Sequence, residues 1–433
     1  MPNDTDPNLL SGWPQLRYRA IALAIALIIG VLVAISAVGF FTLVGVAVKL
    51  WAQPLPSSFG EIVNSYSLSV AVALGCSALI AGLILRLLDG GRPHGPADLI
   101  DAAQNDRSPD LRAGALSSIL ALSNLAGGAS VGIFGPLVHF GGCLAAAIHA
   151  RAARMPIDVM LGCGAGAAIA SVFSAPLGAA IFAHEAIIRR FGAFGAAPVL
   201  GACFVAFWLS EILLGRHRFF TVFVPPQLDA LTLVSAMVVG LICGAVATIY
   251  IHAVTSVPRL VRATGLPLSL RPLVPASILF ILSPVLPHFL GSGLSSVELA
   301  LGGHLALELM LVLIIGKVFL TPLCLGFGYF GGVFAPALFF GSMLGGIADA
   351  VLGGGHTCFA LVGAASAVAA VIGAPVASTI IVFEMTGSYE GAVLSMISTV
   401  VAVQISRSFA GRSLFDRQLA MRGITVLDDH RPL

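Results

Sequence analysis

Long apolar runs separated by short polar segments dominate the chain. Nearly uncharged runs extend from Ala20 to Val48, from Leu68 to Leu88 and from Leu231 to Ile251, with a shorter one from Ala392 to Ile405. A helix needs roughly 20 apolar residues to cross a hydrocarbon core of about 30 Å. The first three runs are long enough to span, and the last has the length of a broken or partly buried helix. The pattern predicts an all-α polytopic membrane protein.

Composition and charge support this class and suggest an orientation. Of the 433 residues, 58% are hydrophobic and 10% are charged, whereas soluble domains carry about 25% charged residues. The net charge of +2 is too small to indicate nucleic acid binding. An arginine cluster follows the final apolar run, which favours a cytoplasmic C-terminus. We expect a multi-pass protein of the cell inner membrane with both termini cytoplasmic: a tail over 1–16, a transmembrane domain over 17–425 and a short tail over 426–433.

The residues that usually build enzymatic or metal sites are scattered. The seven cysteines include no CxxC pair, and His184–Glu185 lacks the HExxH spacing of a metalloprotease. We find no clustered set of His, Asp and Glu and no nucleophile next to a base. The sequence therefore predicts no metal, no cofactor and no enzymatic activity.

An internal repeat at an offset of about 200 residues organises the chain. Residues 132–141 read GIFGPLVHFG and residues 332–341 read GVFAPALFFG, and the block from Gly164 to Glu185 matches the block from Gly363 to Glu384 with nine identities. Such repeats, interrupted by Gly and Pro, indicate a binding site between the halves, near the membrane midplane. We expect halves over about 17–220 and 230–425, joined near residues 216–228. Hydropathy alone leaves open whether the halves are parallel or inverted.

The repeated Gly/Pro turns are typical of anion sites. In Gly132 to Pro136 and Gly332 to Pro336, glycine permits a sharp turn and proline fits the first turn of a helix. Each motif therefore predicts a broken helix that restarts inside the membrane. The free amides and positive dipole at such a start bind an anion without a full cationic side chain. A third turn, Gly90 to Pro96, precedes a short polar helix over 97–104.

These motifs resemble those of the CLC family of anion channels and proton-coupled anion exchangers, over essentially the whole chain. The family signature Gly-x-Phe-x-Pro is intact at Gly332 to Pro336. Gly132 to Pro136 stands where the family has Gly-Arg-Glu-Gly-Pro, and Arg92 to Pro96 loosely matches Gly-Ser-Gly-Ile-Pro. Val382 to Thr386 and Ser413 to Asp416 are similar to two later family stretches.

The resemblance implies a fold, an assembly and a ligand. It implies an inverted repeat with broken helices, and a homodimer in the lipid bilayer with one pathway per subunit for chloride or a similar small anion. Backbone amides near Val333 and Phe334 would bind a central ion, and those of Ile133 to Gly135 an outer one. Because only a short segment follows Arg422, we expect no CBS domains.

Four side chains depart from the family's pattern. The gating glutamate corresponds to Phe134 and the inner proton glutamate to Ala186, while the serine and tyrosine that touch the central ion correspond to Pro93 and Phe415. We therefore expect passive, proton-uncoupled, channel-like transport of small monovalent anions, chloride first, with Phe134 as the gate. The expected anion-binding residues are Val333, Phe334, Ile133, Phe134, Gly135, Pro93, His94 and Phe415.

Several alternatives stay open. A secondary transporter of the same fold could couple to protons through His94 and His139, which flank the site, or prefer nitrate, fluoride or bicarbonate. A third reading is a membrane enzyme or receptor on the same scaffold. Lys317 lies in an apolar run, where an ionisable group is a functional candidate. It either raises the potential along the anion path or makes a structural pair with a carboxylate or a helix C-terminus.

Overall fold

Helices joined by short turns build the whole described protein. The computed structural model describes residues 13–52, 55, 67–151, 155–215, 228–352 and 358–424. The α-helices, in chain order, are α1 (Trp13–Lys49), α2 (Leu68–Leu87), α3 (Pro96–Gln104), α4 (Leu111–Ala126), α5 (Phe134–His149), α6 (Ile157–Phe173), α7 (Pro176–Phe182), α8 (Ala193–Leu214), α9 (Ala230–Ala263), α10 (Leu273–Leu282), α11 (Leu294–Leu301), α12 (Leu307–Gly326), α13 (Phe334–Leu352), α14 (Cys358–Ile372), α15 (Pro375–Thr386), α16 (Tyr389–Ala410) and α17 (Leu414–Ala420).

The long apolar runs form the membrane-spanning helices. Within the described ranges, seven helical segments are long and apolar enough to cross a bilayer. The run expected to be short belongs to the longer helix α16. The first helix begins at Trp13, so four residues of the expected N-terminal tail are helical. Most of the expected connection over 216–228, and the expected tail over 426–433, lie outside the described residues.

Two fully buried helices form the centre of the protein. Every residue of α6 and of α14 is buried, as a helix that is apolar on all sides requires. Small residues let their neighbours approach closely. A Cβ atom on Gly141 of α5 would lie 2.4 Å from the Gly164 carbonyl oxygen of α6, and one on Gly341 of α13 would lie 2.4 Å from that of Gly363 in α14. The duplicated sequence therefore packs in the same way in both halves.

The two halves also cap each other's helices. The Glu185 carboxylate accepts hydrogen bonds from the amides of Val376 and Ala377 at the start of α15, at 3.2 and 2.8 Å. The Glu384 carboxylate accepts from Leu177 and Gly178 in the first turn of α7, at 3.0 and 2.7 Å. A carboxylate at a helix start satisfies free amides and suits the helix dipole. Through the repeated Ala-Pro-x8-Glu motif, each half therefore caps a helix of the other half, and these two contacts are here called the reciprocal caps.

Candidate functional site

The two halves cross at a pair of glycines inside the helix bundle. The Gly132 amide donates to the Gly332 carbonyl at 2.8 Å, and the Gly332 amide donates to the Gly132 carbonyl at 2.6 Å, in antiparallel register. A Cβ atom on Gly332 would lie 2.5 Å from the Gly135 nitrogen, and one on Gly132 would lie 2.6 Å from the Gly332 oxygen. Only glycine permits this approach, which explains why both motifs begin with that residue.

Helices α5 and α13 start immediately after this crossing. Their first residues, Phe134 and Phe334, have ring centroids 5.2 Å apart, so the two helix starts lie side by side. The first turn of a helix has amides without an intrahelical partner, and its dipole places partial positive charge there. The two Gly/Pro motifs, predicted to restart helices inside the membrane, do so at one shared point. This arrangement suits a small anion.

A cluster of three phenylalanines covers the two helix starts. The Phe173 ring centroid lies 4.3 Å from that of Phe134 and 5.0 Å from that of Phe334. All three side chains are buried. Sequence reasoning missed Phe173. The sequence feature that could have identified it is its position in the second repeated block, three residues before the proline that starts α7.

A cavity of about 420 Å³, here called the larger cavity, reaches the cluster from one side. Six of the residues expected at the anion site line it: Pro93, Phe134, Gly135, Val333, Phe334 and Phe415. The structure thus brings together residues from four separate parts of the chain. Its lining also includes four arginines, Arg92, Arg262, Arg271 and Arg422. Asp98 is the only carboxylate among the described lining residues, so positive charge prevails there.

Asp98 is held between two of these arginines. Arg92 and Arg422 donate to its Oδ1 at 2.7 and 2.9 Å, Arg92 also donates to Oδ2, and the Gly95 amide caps Oδ2 at 2.8 Å. Burial raises the pKa of the Asp98 carboxyl, but the Arg92 hydrogen bond and the two arginine charges outweigh it and hold the pKa at about 2. This carboxylate stays ionised at neutral pH. It fixes the third Gly/Pro turn against the C-terminal end of the chain.

Two expected site residues lie elsewhere. Ile133 lines a second cavity of about 170 Å³, here called the smaller cavity, together with Trp51, His288 and Gly291. The side chain of Ile133 and that of Phe134 therefore lie against different cavities, although the residues are adjacent. His94 is half-buried; its backbone amide donates to Ser117 Oγ at 2.8 Å, and its ring lies 6.3 Å from that of His139. Neither residue is in the lining of the larger cavity, and the expectation that the Ile133 amide binds an outer ion and that His94 belongs to the anion site stays a prediction.

The two cavities lie at opposite ends of the spanning helices. Helix α1 ends beside the smaller cavity, where Val48 lines it, and the next spanning helix, α2, ends with Leu85 at the larger one. Residues at equivalent repeat positions divide between them: Leu125 lines the smaller cavity and Leu325 the larger. This division, with the antiparallel crossing, shows that the repeat is inverted, which hydropathy could not decide.

Ala186, which stands where the family's inner proton glutamate was expected to be lost, is buried and is not among the residues that line the larger cavity. It lies in a π-helical turn, Ala183–Ile188, that continues α7. Arg189, directly after this turn, forms an ion pair with Asp416 of α17. Asp416 also accepts from Ser413 Oγ at 2.7 Å at the N-terminus of that helix. These contacts fix Phe415 at the wall of the larger cavity.

Lys317 is fully buried halfway along α12. Its Nζ donates to Ser130 Oγ at 3.0 Å and to the Gly291 carbonyl at 3.1 Å, and it lies 5.0 Å from the Phe339 ring centroid. Among the described residues, no carboxylate forms an ion pair with it. Within the described part of the chain Lys317 is thus paired with a hydroxyl and a backbone carbonyl, the latter two residues after the 3-10 turn Pro287–Phe289, and not with a carboxylate.

Comparisons with known proteins agree with this geometry. A family model described as "Voltage gated chloride channel" matches residues 76–407. The chain is similar to the voltage-gated ClC-type chloride channel ClcB of Citrobacter koseri, 27% identical over 416 residues that cover 92% of this chain and 99% of the relative. The same-named protein of Salmonella typhimurium is 28% identical over 421 residues, with the same coverage.

Two solved structures share the architecture. One is a slow cyanobacterial chloride/proton antiporter, with a TM-score of 0.81, 19% identity, and coverage of 93% of this chain and 97% of the other. The other is a CLC-type fluoride/proton antiporter, with a TM-score of 0.77, 21% identity, and coverage of 94% and 99%. At these identities the likeness establishes the fold alone.

Proposed function

This chain belongs to the voltage-gated chloride channel family, whose members transport anions and are not enzymes, and on that premise we propose that it moves small monovalent anions passively, without proton coupling. Chloride is the first candidate ion. Its route runs from the larger cavity, past the amides of Val333 and Phe334 at the start of α13, to the smaller cavity. Phe134 is the gate on this route.

The observation that carries the proposal is the apolar cluster where the two helix starts meet. An exchanger needs an ionisable group that competes with the anion and carries a proton. Here Phe134, Phe173 and Phe334 fill that place, with ring centroids 4.3 to 5.2 Å apart. Glu185, the carboxylate beside Ala186, is engaged by two backbone amides of α15. An apolar constriction of this kind gates by excluding water rather than by titrating.

The arrangement of charges supports an orientation. Positively charged residues are enriched on the cytoplasmic side of membrane proteins, so the four arginines of the larger cavity indicate that this end of the protein is cytoplasmic. Helix α1 starts at this face, and α17 lines the cavity itself. We therefore place both termini in the cytoplasm and the protein in the inner membrane of a bacterium. From the family resemblance alone, we further propose that it is a homodimer. Cysteine-reactive labels applied to intact cells at exposed positions near each cavity would test the orientation, and light scattering in detergent would test the dimer.

A second candidate is proton coupling through histidines. His94 and His139 lie 6.3 Å apart beside the Asp98 cluster, so they form a pair of titratable groups near the larger cavity. In this reading they replace the lost glutamates, and the protein exchanges anions for protons.

One experiment separates the two candidates. Purified protein is reconstituted into chloride-loaded liposomes, valinomycin clamps the voltage, and chloride efflux and external pH are recorded together. We expect chloride efflux without proton movement, and we expect Phe134→Glu to make efflux pH-dependent. Proton uptake in fixed ratio to chloride would overturn the proposal, and its loss in His94→Gln or His139→Gln would establish the second candidate. Replacing chloride by fluoride, nitrate and bicarbonate in turn identifies the preferred anion.

A further inference from the structure

We propose that an anionic phospholipid binds at the end of α9 beside the larger cavity, with its phosphate held by Arg259 and Arg417. The inference rests on the membrane class and the fold of the protein, and it holds whichever anion is carried and whether or not protons are coupled. It assigns a ligand to two arginines that line neither cavity.

An exposed stripe of α9 changes from apolar to polar along the helix. Its members recur every three or four residues, so they share one side of the helix. In chain order they are Leu231, Val234, Val238, Leu241, Ala245, Ile249, His252, Ser256 and Arg259. The apolar part, from Leu231 to Ile249, is about 27 Å long at roughly 1.5 Å per residue, close to the thickness of about 30 Å of a hydrocarbon core. The polar part therefore lies at the depth of the lipid headgroups.

Helix α16 packs closely along α9 and ends beside the polar part of the stripe. A Cβ atom on Gly240 of α9 would lie 2.4 Å from the Ser398 carbonyl oxygen of α16, and one on Gly244 would lie 2.6 Å from that of Ala402. Both contacts advance by four residues, so the two helices run in parallel. The end of α16 and the helix that follows it, α17, are therefore brought next to the end of α9.

Arg417 of α17 reaches the polar part of the stripe. Its Nη1 lies 3.4 Å from His252 Nε2 and donates to the Ala410 carbonyl at 3.1 Å. Both described contacts of this guanidinium use Nη1, so Nε and Nη2 are available to a further acceptor. Arg259 lies close enough for its positive charge to act on that of Arg417. Two guanidinium groups thus share one headgroup-level position.

The charge of these arginines is not neutralised in the part of the chain that the structure describes. Neither Arg259 nor Arg417 forms an ion pair there. Asp416, the carboxylate next to Arg417 in sequence, is engaged by Arg189 instead. Two neighbouring positive charges repel each other, and a phosphate group relieves the repulsion by accepting hydrogen bonds from both.

The combination of a basic end and an apolar stripe identifies the ligand class. A free phosphate would use only the arginines, whereas the stripe of α9 leads directly to them and presents exposed aliphatic side chains over the length of an acyl chain. A phospholipid with a net negative charge matches both parts. A zwitterionic lipid matches the stripe but carries a positive group of its own, which the arginines repel.

The bound lipid would lie on the outer side of the wall of the larger cavity. Thr255 and Pro258 of α9 line this cavity, and so does Phe415, two residues before Arg417. A headgroup that joins Arg259 to Arg417 therefore ties together the two helices that form this part of the wall. We expect the lipid to stabilise the folded protein.

The test uses purified protein in a neutral detergent. Phosphatidylglycerol, phosphatidylcholine with the same acyl chains, or inorganic phosphate is added at increasing concentration. Native mass spectrometry counts the bound lipid, and thermal unfolding measures the stabilisation. We expect phosphatidylglycerol to bind and to raise the unfolding temperature with concentration, and we expect the other two additions to do neither.

Substitutions locate the site. Arg259→Gln and Arg417→Gln should each weaken phosphatidylglycerol binding about fivefold, and the double variant about 25-fold. If Arg417→Gln does not fold, Ser256→Glu serves in its place. Ser256 is exposed on the stripe between His252 and Arg259, so the added carboxylate should weaken binding by at least about fivefold.

The matched control is Arg112→Gln. Arg112 is exposed at the start of α4 and forms no ion pair with described residues. Helix α4 ends with Leu125 at the smaller cavity, so its start lies at the same end of the protein as Arg259. Because Arg112 is outside the proposed site, this variant should bind phosphatidylglycerol as the unchanged protein does.

Several results would overturn the inference. These are undiminished phosphatidylglycerol binding by the double variant, equal stabilisation by phosphatidylcholine, and equal stabilisation by inorganic phosphate, which would assign the arginines to a soluble anion. A loss of stability in the variants that is the same with and without lipid would show that the arginines bind another part of the chain. None of these readouts depends on anion flux, so an absence of chloride efflux would overturn the proposed function and leave the lipid site in place.

Discussion

Replacing Phe134 by alanine should open the anion route. The Phe134 ring contacts two others, with centroids 4.3 and 5.2 Å away, and these contacts close the cluster over the helix starts. Aromatic pairs contribute about 0.5–1.5 kcal/mol each beyond burial of their area. Loss of both pairs weakens closure by about 1–3 kcal/mol. At 1.36 kcal/mol per tenfold, the open population and the flux should rise about 5- to 150-fold.

The assay is chloride efflux from liposomes that contain equal amounts of each variant. Phe340→Ala is the matched control, because Phe340 is buried and forms an aromatic pair with Tyr250 at 5.4 Å but lines neither cavity. Its efflux should stay within about twofold of the unchanged protein. Folding of each variant is checked by its elution profile and thermal unfolding in detergent.

Two results would refute this reasoning. If folded Phe134→Ala conducts no faster than the unchanged protein, the cluster does not limit the flux. If Phe340→Ala raises efflux as much as Phe134→Ala, the increase reflects general loosening of the helix packing. In either case the gate would have to be sought elsewhere along the route.

Three further perturbations test the scaffold around the site. Gly332→Ala would place a methyl group 2.5 Å from the Gly135 nitrogen. It should abolish chloride efflux and lower the free energy of unfolding by about 1–3 kcal/mol, as measured by efflux and thermal unfolding assays. The control is Gly75→Ala, whose added methyl group would lie in open space and should change neither quantity. Glu185→Ala removes a cap between the halves and should lower the free energy of unfolding by about 1–2 kcal/mol without changing proton movement. Glu308→Ala, which removes an exposed carboxylate from the first turn of α12, is the control for loss of a helix-start charge alone and should cost less than about 1 kcal/mol. Altered proton movement in Glu185→Ala would instead make Glu185 a carrier. Asp98→Asn removes an ionised group whose pKa lies at about 2, so it should lower the free energy of unfolding by about 2 kcal/mol at neutral pH. Because the pKa of Asp98 is lowered in the folded protein, its stabilisation is present above about pH 4 and declines as the pH falls through about 2. A loss of unfolding free energy at pH 2 as large as that at neutral pH would contradict the ion-pair explanation.

The main features of the fold and the centre of the site could be predicted from the sequence. Apolar runs gave the spanning helices, and the two Gly/Pro motifs correctly predicted where helices restart. Phe134 and Phe334 were both expected at the anion site because each is the third residue of one of two matching motifs. These inferences depend on local pattern and on the repeat, both of which are visible in one dimension.

Other features depend on distant contacts or on side-chain direction. Phe173 joins the cluster only because the end of α6 reaches both helix starts. Ile133 and Phe134 line different cavities although they are adjacent, because side chains of successive residues at a helix start point in directions about 100° apart. The partners of Lys317 come from two loops, at Ser130 and Gly291, that no periodicity connects with α12. Such contacts become visible only in the folded chain.

The reciprocal caps of Glu185 and Glu384 tie the stability of one half of the protein to the other. Each half supplies the carboxylate that accepts from the first amides of the other half's Ala-Pro helix. Neither α7 nor α15 therefore has its described start completed by residues of its own half alone, and separation of the halves would leave four helix-start amides without these acceptors. The two repeats are for this reason expected to unfold together and not one after the other.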